Sequence, residues 1–222
     1  MTLSGNTELG DHCRIHSYAA IGDVPQDRSF HDEESSCIIG AGTVVREGCT
    51  IHRGTGAGTK TVIGQRCYLM TNSHVGHNCI VGDDVTLVSG ALLGGYVSVG
   101  DGAVIAGNAG IHQFVRIGSL AIVSCVSCIV QDVPPFAMTD RRGRIAGINL
   151  TGLKRAGFKP DDRTAIREAF RVIYRSTQSP TAIADELARE FCSTAVQPLI
   201  TFLRAPSRRG LCRASRGFQT SR

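Results

Sequence analysis

The chain has 222 residues, a net charge of +5, 42% hydrophobic residues, 26 glycines, 5% aromatics and no tryptophan. That suffices for one large unit plus a small one, with a thin, repetitive core in place of a broad one. No apolar run approaches the roughly 20 residues that span a bilayer. No basic start leads into an apolar stretch near Met1, so no signal peptide or stable membrane insertion is expected and a cytoplasmic location is.

From the first residues onward, aliphatics recur every six positions: Leu3, Leu9, Ile15 and Ile21, then Ile39, Val45 and Ile51. Gaps near residues 25–37 and 55–61 read as loops pushed out without loss of register. From Ile63 the period runs unbroken through Leu69, Val75, Val81, Leu87, Leu93, Val99, Ile105, Ile111, Ile117 and Val123 to Ile129. Four residues after each aliphatic stands a small or β-branched residue, and glycine often follows the aliphatic directly, as at Gly64, Gly76, Gly82, Gly94, Gly100 and Gly118. Six is wrong for a helix and too long for one strand alternation. It fits a triangular coil of three short strands, 18 residues per turn, with the aliphatics pointing inward and glycine easing the corner backbone.

Cys13, Cys49, Cys67 and Cys79 fall on the small interior position, where a thiol acts as a small hydrophobe. A single Cys125-x-x-Cys128 pair lies inside the repeat frame and carries little weight as a zinc site. The reading calls for no metal and no cofactor.

His77 is third in its hexad, and steps of 18 lead to Gly95 and Gln113, so these three share one edge of the prism. His112 lies beside Gln113, and His74 precedes the His77 corner. The coil should end near Val133-Pro134-Pro135, because two prolines cannot feed a parallel ladder. A helix follows Pro160 with Ile166, Ala169, Phe170 and Ile173 as its apolar stripe. Ser179-Pro180 caps a second helix, and Pro198 limits a third. The expected division is 1–138 β-helix, 139–159 loop or hairpin connection, 160–205 helical domain and 206–222 a basic, disordered tail. Charge is divided too: residues 1–150 hold 10 Lys/Arg and 13 Asp/Glu, and residues 151–222 hold 14 and 6. Basic residues interleaved with stacking aromatics are absent, so nucleic acid is not an expected partner.

The segments DVPQD, TIHRGT, NSHVGHNC, GGYVSVGD, GIHQF, VQDVPPF and NLTGLKRAGF occur in this order. Together they resemble the UDP-N-acetylglucosamine O-acyltransferases that begin lipid A synthesis, from roughly Gly5 to Arg204. The resemblance implies a left-handed parallel β-helix, a homotrimer with sites between neighbours, and acyl carrier protein and a UDP-sugar as partners. It implies transfer of a 3-hydroxyacyl chain to the sugar 3-hydroxyl. His77 would be the general base and the Gly95 amide the oxyanion donor. Gln26, Asp27, His74, His112, Gln113, Asn149 and Arg155 would bind substrate, with Arg155 suited to phosphate. Ile122 and Cys125 would line the acyl groove, and Cys125, where long-chain members have glycine, would shorten it.

This sequence departs from the family pattern at Asn78 (Asp in the family), Tyr96 (His), Ser29 (Lys) and Thr151 (an acid). Family members also carry more coils ahead of the GNTELG segment, so the expectation is either an upstream start or a shortened variant. Other readings on the same scaffold are N-acyl transfer to a UDP-amino-sugar, a non-catalytic nucleotide- or carrier-binding relic, and a γ-type carbonic anhydrase using His74, His77 and His112. The last fits poorly, since that family spaces two of its histidines five apart.

Overall fold

The computed structural model describes residues 1–218. Short strands form three parallel sheets, one per face of a triangular prism. One face holds His74–Val75, Leu92–Leu93 and Gly110–Ile111, the next Ile80–Val81 and Ser98–Val99, the third Thr86–Leu87 and Val104–Ile105. Neighbouring strands pair 18 residues apart, as His74 with Leu92 and Thr86 with Val104. The offset widens to 24 at Val75 with Ile51, across the loop near residue 55, and to 30 at Ile51 with Ile21, across the loop near residue 25. Both insertions are whole multiples of six, so the aliphatic frame survives them.

The inward aliphatics are buried from Ile21 through Ile129, and the small residues between them are buried with them, including Cys67, Cys79, Ala91 and Ser127. Leu87, fully buried, is typical of this column. Leu87→Ala is expected to cost about 2–5 kcal/mol, because a coil stacked on both sides cannot collapse into the void; urea denaturation would measure it. Burial pushes the Cys79 thiol up to about 12 and the Cys67 thiol up to about 11, which keeps these interior cysteines unreactive.

The corners correct one expectation. The left-handed backbone falls three residues after each aliphatic, at Arg66, Asn72, Asn78 and Asp84 with φ of 53–59°. It does not fall on Gly64, Gly76, Gly82, Gly94, Gly100 or Gly118, which directly follow their aliphatics. Those glycines answer to close stacking instead: a Cβ on Gly64 would lie 2.6 Å from the Gly82 carbonyl carbon, and one on Gly100 2.5 Å from Ser119 N. Each non-glycine left-handed residue costs roughly 1–2 kcal/mol, offset by the ladder the corner permits.

The ladder also outlasts the prolines. Ala137–Thr139 pairs in parallel through Met138 with Ile122, and antiparallel with Ile145–Ile148. Pro134 and Pro135 occupy the corner between them, where no ladder donor is required. Helix α1 (Leu150–Arg155) lies in the stretch expected to be loop, started by the Asn149 side chain accepting from Gly152 N at 2.8 Å. Helix α2 (Pro160–Arg175) buries Ile166, Ala169, Phe170 and Ile173 as the periodicity predicts. Ser179 caps α3 (Pro180–Glu190), and α4 (Gln197–Arg204) carries Pro198 in its first turn, where the missing N–H costs nothing. Among the described residues no helix is long and apolar enough to cross a membrane.

Residues 206–218 are not a disordered tail. The segment returns to the prism as a strap. Asp132 N donates to Gly210 O and Cys212 N to Asp132 O, each at 2.8 Å, and Ser215 N donates to Ile145 O at 2.8 Å. Cys212 is buried, and Phe218 packs on Tyr174 at 5.2 Å. Five arginines mask the short apolar run Leu211–Cys212 in a compositional reading. Residues 219–222 of the expected tail lie outside the described residues.

Candidate active site at one edge of the prism

The loop near residue 25 and one corner row enclose a cleft of about 350 Å³ lined by Gln26, His52, His74, His77, Gly95, His112 and Gln113, with neighbouring Gly76, Gly94 and Ile111. The 18-residue step puts His77, Gly95 and Gln113 on this edge, followed on the same coils by Asn78, Tyr96 and Phe114.

His77 is held through Nδ1 and leaves Nε2 to the cleft. Its Nδ1 lies 2.8 Å from Asn78 Oδ1. Asn78 is itself fixed by one peptide of the loop near residue 55: Thr55 N donates to Oδ1 at 2.8 Å, and Nδ2 donates to Thr55 O at 3.3 Å. A backbone N–H can only donate and a carbonyl only accept, so the amide has one orientation and presents oxygen to His77. The neutral imidazole therefore carries its proton on Nδ1 and keeps the Nε2 lone pair for the cleft. Asn78 also suits the left-handed corner (φ 59°), and its own N–H donates to Thr61 Oγ1 at 2.8 Å. A carboxylate at this position would set an unprotonated oxygen against the Thr55 carbonyl, so the loop and the asparagine match each other.

On the other side, His77 Nε2 lies 3.7 Å from Asp27 Oδ2. Asp27 Oδ1 accepts from Ser29 N at 3.0 Å and Ser29 Oγ at 2.9 Å. These two bonds lower the Asp27 pKa, against a small opposing effect of burial, and His77 adds to the lowering. Asp27 thus both shapes its loop and faces the ring, and Ser29 holds it. The His77 ring occupies the space a Cβ on Gly95 would take, 2.5 Å from Nε2. Gly95 N–H has no acceptor among the described residues, and neither do its row counterparts His77 and Gln113. The unused donor at Gly95 belongs to the residue beside His77 Nε2, whereas in the preceding coil the row counterpart Arg53 N donates to Asp23 O at 3.1 Å. Tyr96 meets the His77 ring edge-on at 5.2 Å and stacks on Phe114 at 4.8 Å.

His74 Nδ1 pairs with Thr50 Oγ1 at 2.7 Å, and its ring meets His52 edge-on at 5.2 Å. Burial pushes His74 down to about 4, with His52 and His77 adding to the shift. Burial also lowers His52, partly opposed by Asp23 and reinforced by His77. His52 was not among the predicted site residues, and its buried Nδ1 has no hydrogen-bond partner among the described residues. The signal was present: His52 follows Ile51 as Gly76 follows Val75, but the insertion near residue 55 makes the step 24, and simple addition of 18 misses it.

A His kept neutral by folding binds its proton less readily than the unfolded chain does, near 6.5. Stability should therefore rise with pH between about 4 and about 6.5 and level off above. Urea midpoints across that range should fall on acidification, and should fall less in His74→Gln.

The remaining predicted residues are elsewhere in the chain. Ile122 and Cys125 lie on the third face and the corner after it, Cys125 exposed. Asn149 is buried and spends its side chain on Leu120 O at 2.8 Å and on the α1 cap. Arg155 is exposed at the end of α1. One chain gathers His77, Gly95, Gln26, Asp27, His74, His112 and Gln113 but not these four.

The sequence profile described as "Udp N-acetylglucosamine O-acyltransferase; Domain 2" matches residues 132–212, and that of the bacterial transferase hexapeptide (six repeats) matches residues 60–95. The acyl-[acyl-carrier-protein]--UDP-N-acetylglucosamine O-acyltransferase of Synechocystis is 39% identical over 208 residues, covering 93% of this chain and 75% of that protein. The protein of the same name from Paraburkholderia xenovorans is 40% identical over 213 residues, covering 92% and 80%. This chain belongs to the UDP-N-acetylglucosamine O-acyltransferase family. The solved UDP-N-acetylglucosamine acyltransferase from Bacteroides fragilis superposes with a TM-score of 0.89 at 31% identity, covering 95% of this chain and 83% of that one. The enzyme from Moraxella catarrhalis gives 0.88 at 35%, covering 94% and 82%. The fold class is accordingly the left-handed parallel β-helix with a helical C-terminal part.

Proposed function

We propose that this chain transfers a 3-hydroxyacyl group from acyl carrier protein to the 3-hydroxyl of UDP-N-acetylglucosamine, the first step of lipid A biosynthesis. Membership of the acyltransferase family supports it. The observation that carries the chemistry is His77, its Nδ1 tied to Asn78 and its Nε2 turned to Gly95 and Asp27.

A thioester is already activated, so the site must supply a base and an oxyanion donor. Nε2 of His77 takes the sugar hydroxyl proton as that oxygen bonds to the thioester carbon. The carbonyl oxygen becomes an oxyanion and accepts from Gly95 N–H. The ring is then an imidazolium, and Asp27, 3.7 Å from Nε2, supplies the negative charge that Asn78 lacks. Collapse of the intermediate breaks the carbon–sulfur bond, and the leaving thiolate recovers the proton from Nε2. His74, held neutral, can accept or donate one hydrogen bond without adding charge.

The assembly we favour is a trimer in which a neighbour's Ile122, Cys125, Asn149 and Arg155 face the cleft, since they lie away from it within one chain. A cytoplasmic location completes the reading. Mass spectrometry of product from purified protein tests it, with UDP-N-acetylglucosamine, its 3-amino analogue and 3-hydroxyacyl carrier proteins of several lengths. An O-acylated sugar nucleotide is expected. Acylation of the 3-amino analogue alone would make it an N-acyltransferase. No product from folded protein would leave a binding relic.

A further inference from the structure

The strap brings two arginines to the edge that carries the cleft. Arg209 Nε donates to the main-chain oxygen of Gln113 at 2.8 Å, and Gln113 lines the cleft. The Arg208 guanidinium carbon lies 4.5 Å from the centre of the Phe114 ring, and that of Arg209 lies 5.9 Å from it. Phe114 stacks on Tyr96, and Tyr96 meets His77. A continuous stack thus runs along one corner from the proposed base to Arg208.

Neither guanidinium meets a carboxylate among the described residues. The acid the strap covers, Asp132, is fully buried and already paired with Arg116 and Ser207. Its Oδ2 accepts from Arg116 Nε at 2.8 Å and from Ser207 Oγ at 2.6 Å, and its Oδ1 accepts from Arg116 N at 2.9 Å. That network anchors the root of the strap one residue before Arg208. Arg208 is exposed and Arg209 half-buried, beside Gln113 of the cleft wall and outside the cleft's own lining. Two like charges held side by side, ordered by a ring and a carbonyl and left without a counter-ion, are a built anion site. Planar guanidinium forks suit phosphate oxygens.

We propose that Arg208 and Arg209 bind a phosphate ester of a substrate whose reacting group lies at His77. This deepens the acyl-transfer reading and rests on it. Two phosphates could arrive there: the diphosphate of the sugar nucleotide, or the phosphodiester that joins the carrier protein to its prosthetic arm. Both present the same oxygens, and the test separates them.

The test compares the full chain with Arg208→Ala, Arg209→Ala and the double variant, alongside Arg208→Lys/Arg209→Lys. KM for UDP-N-acetylglucosamine and for acyl carrier protein is read separately from kcat. Binding of UDP and of 4′-phosphopantetheine is read by calorimetry, without turnover. Losing one charge-assisted contact weakens binding by about 10–100-fold. The double variant should raise one KM by about that factor, lower kcat much less, and weaken the matching probe. Loss of UDP binding names the diphosphate; loss of phosphopantetheine binding names the carrier. The lysine pair should recover part of the loss. Among the described residues Arg208 makes no side-chain hydrogen bond, so Arg208→Ala gives the answer even if Arg209→Ala loosens the strap. Both KM values and both probe affinities within twofold of the parent would overturn the proposal. A parent that binds neither probe and turns nothing over would instead overturn the acyl-transfer reading.

Discussion

Replacing His77 with alanine is expected to lower kcat by about 10²–10⁴-fold, the usual worth of a positioned general base. The ring is 12% exposed, lies on the outside of the coil, and fills no part of the aliphatic column. The variant should therefore keep its thermal midpoint, and the loss should be catalytic. KM for both substrates should move far less than kcat, because the proton transfer belongs to the transition state. Steady-state kinetics with a 3-hydroxyacyl carrier protein would measure it. Activity within tenfold of the parent would remove His77 from the base role, and His52 or His74 would be next to consider. Both are lowered by burial, but neither adjoins Gly95 and Asp27 as His77 does.

Gly95→Ala should be nearly as damaging without touching any acid or base. Its backbone is not left-handed, so alanine is tolerated locally and the coil should still form. The added Cβ would lie 2.5 Å from His77 Nε2, and the ring must move. Asn78 cannot follow, because both of its amide atoms are bound to Thr55. Displacing a catalytic group by about 1 Å costs on the order of 10²-fold, and the Gly95 amide would lose its place beside Nε2 at the same time. A kcat reduced by about 10²-fold or more, with an unchanged thermal midpoint, is the expected result. Full activity in Gly95→Ala would mean that the ring works from another rotamer, and the proton path described here would fall with it. Gly90, by contrast, has φ of 71°, so Gly90→Ala would strain the backbone and report on folding instead.

The same contrast separates what could be read along the chain from what could not. Period-six aliphatics place Ile63 through Ile129 inside the prism, because a repeat that stacks on itself makes each contact a fixed step in sequence. The same step places His77, Gly95 and Gln113 on one edge. Asn78 appears in the sequence as a departure from the family pattern; its fit becomes visible only with the Thr55 peptide beside it, 23 residues away. His52 was missed because an insertion changes the step.

Sequence alone determined the coil, its interior and the residue types on its edge, since local period and side-chain size suffice for these. The tertiary structure decided which loop completes each corner. Thr55 on Asn78, Asp27 on His77 and Arg209 on Gln113 all join segments with no periodic relation. It also turned a run of arginines expected to be a solvated tail into an ordered strap. Main-chain pairing with Asp132 and Ile145 depends on where those strands end in space, and composition carries no record of that.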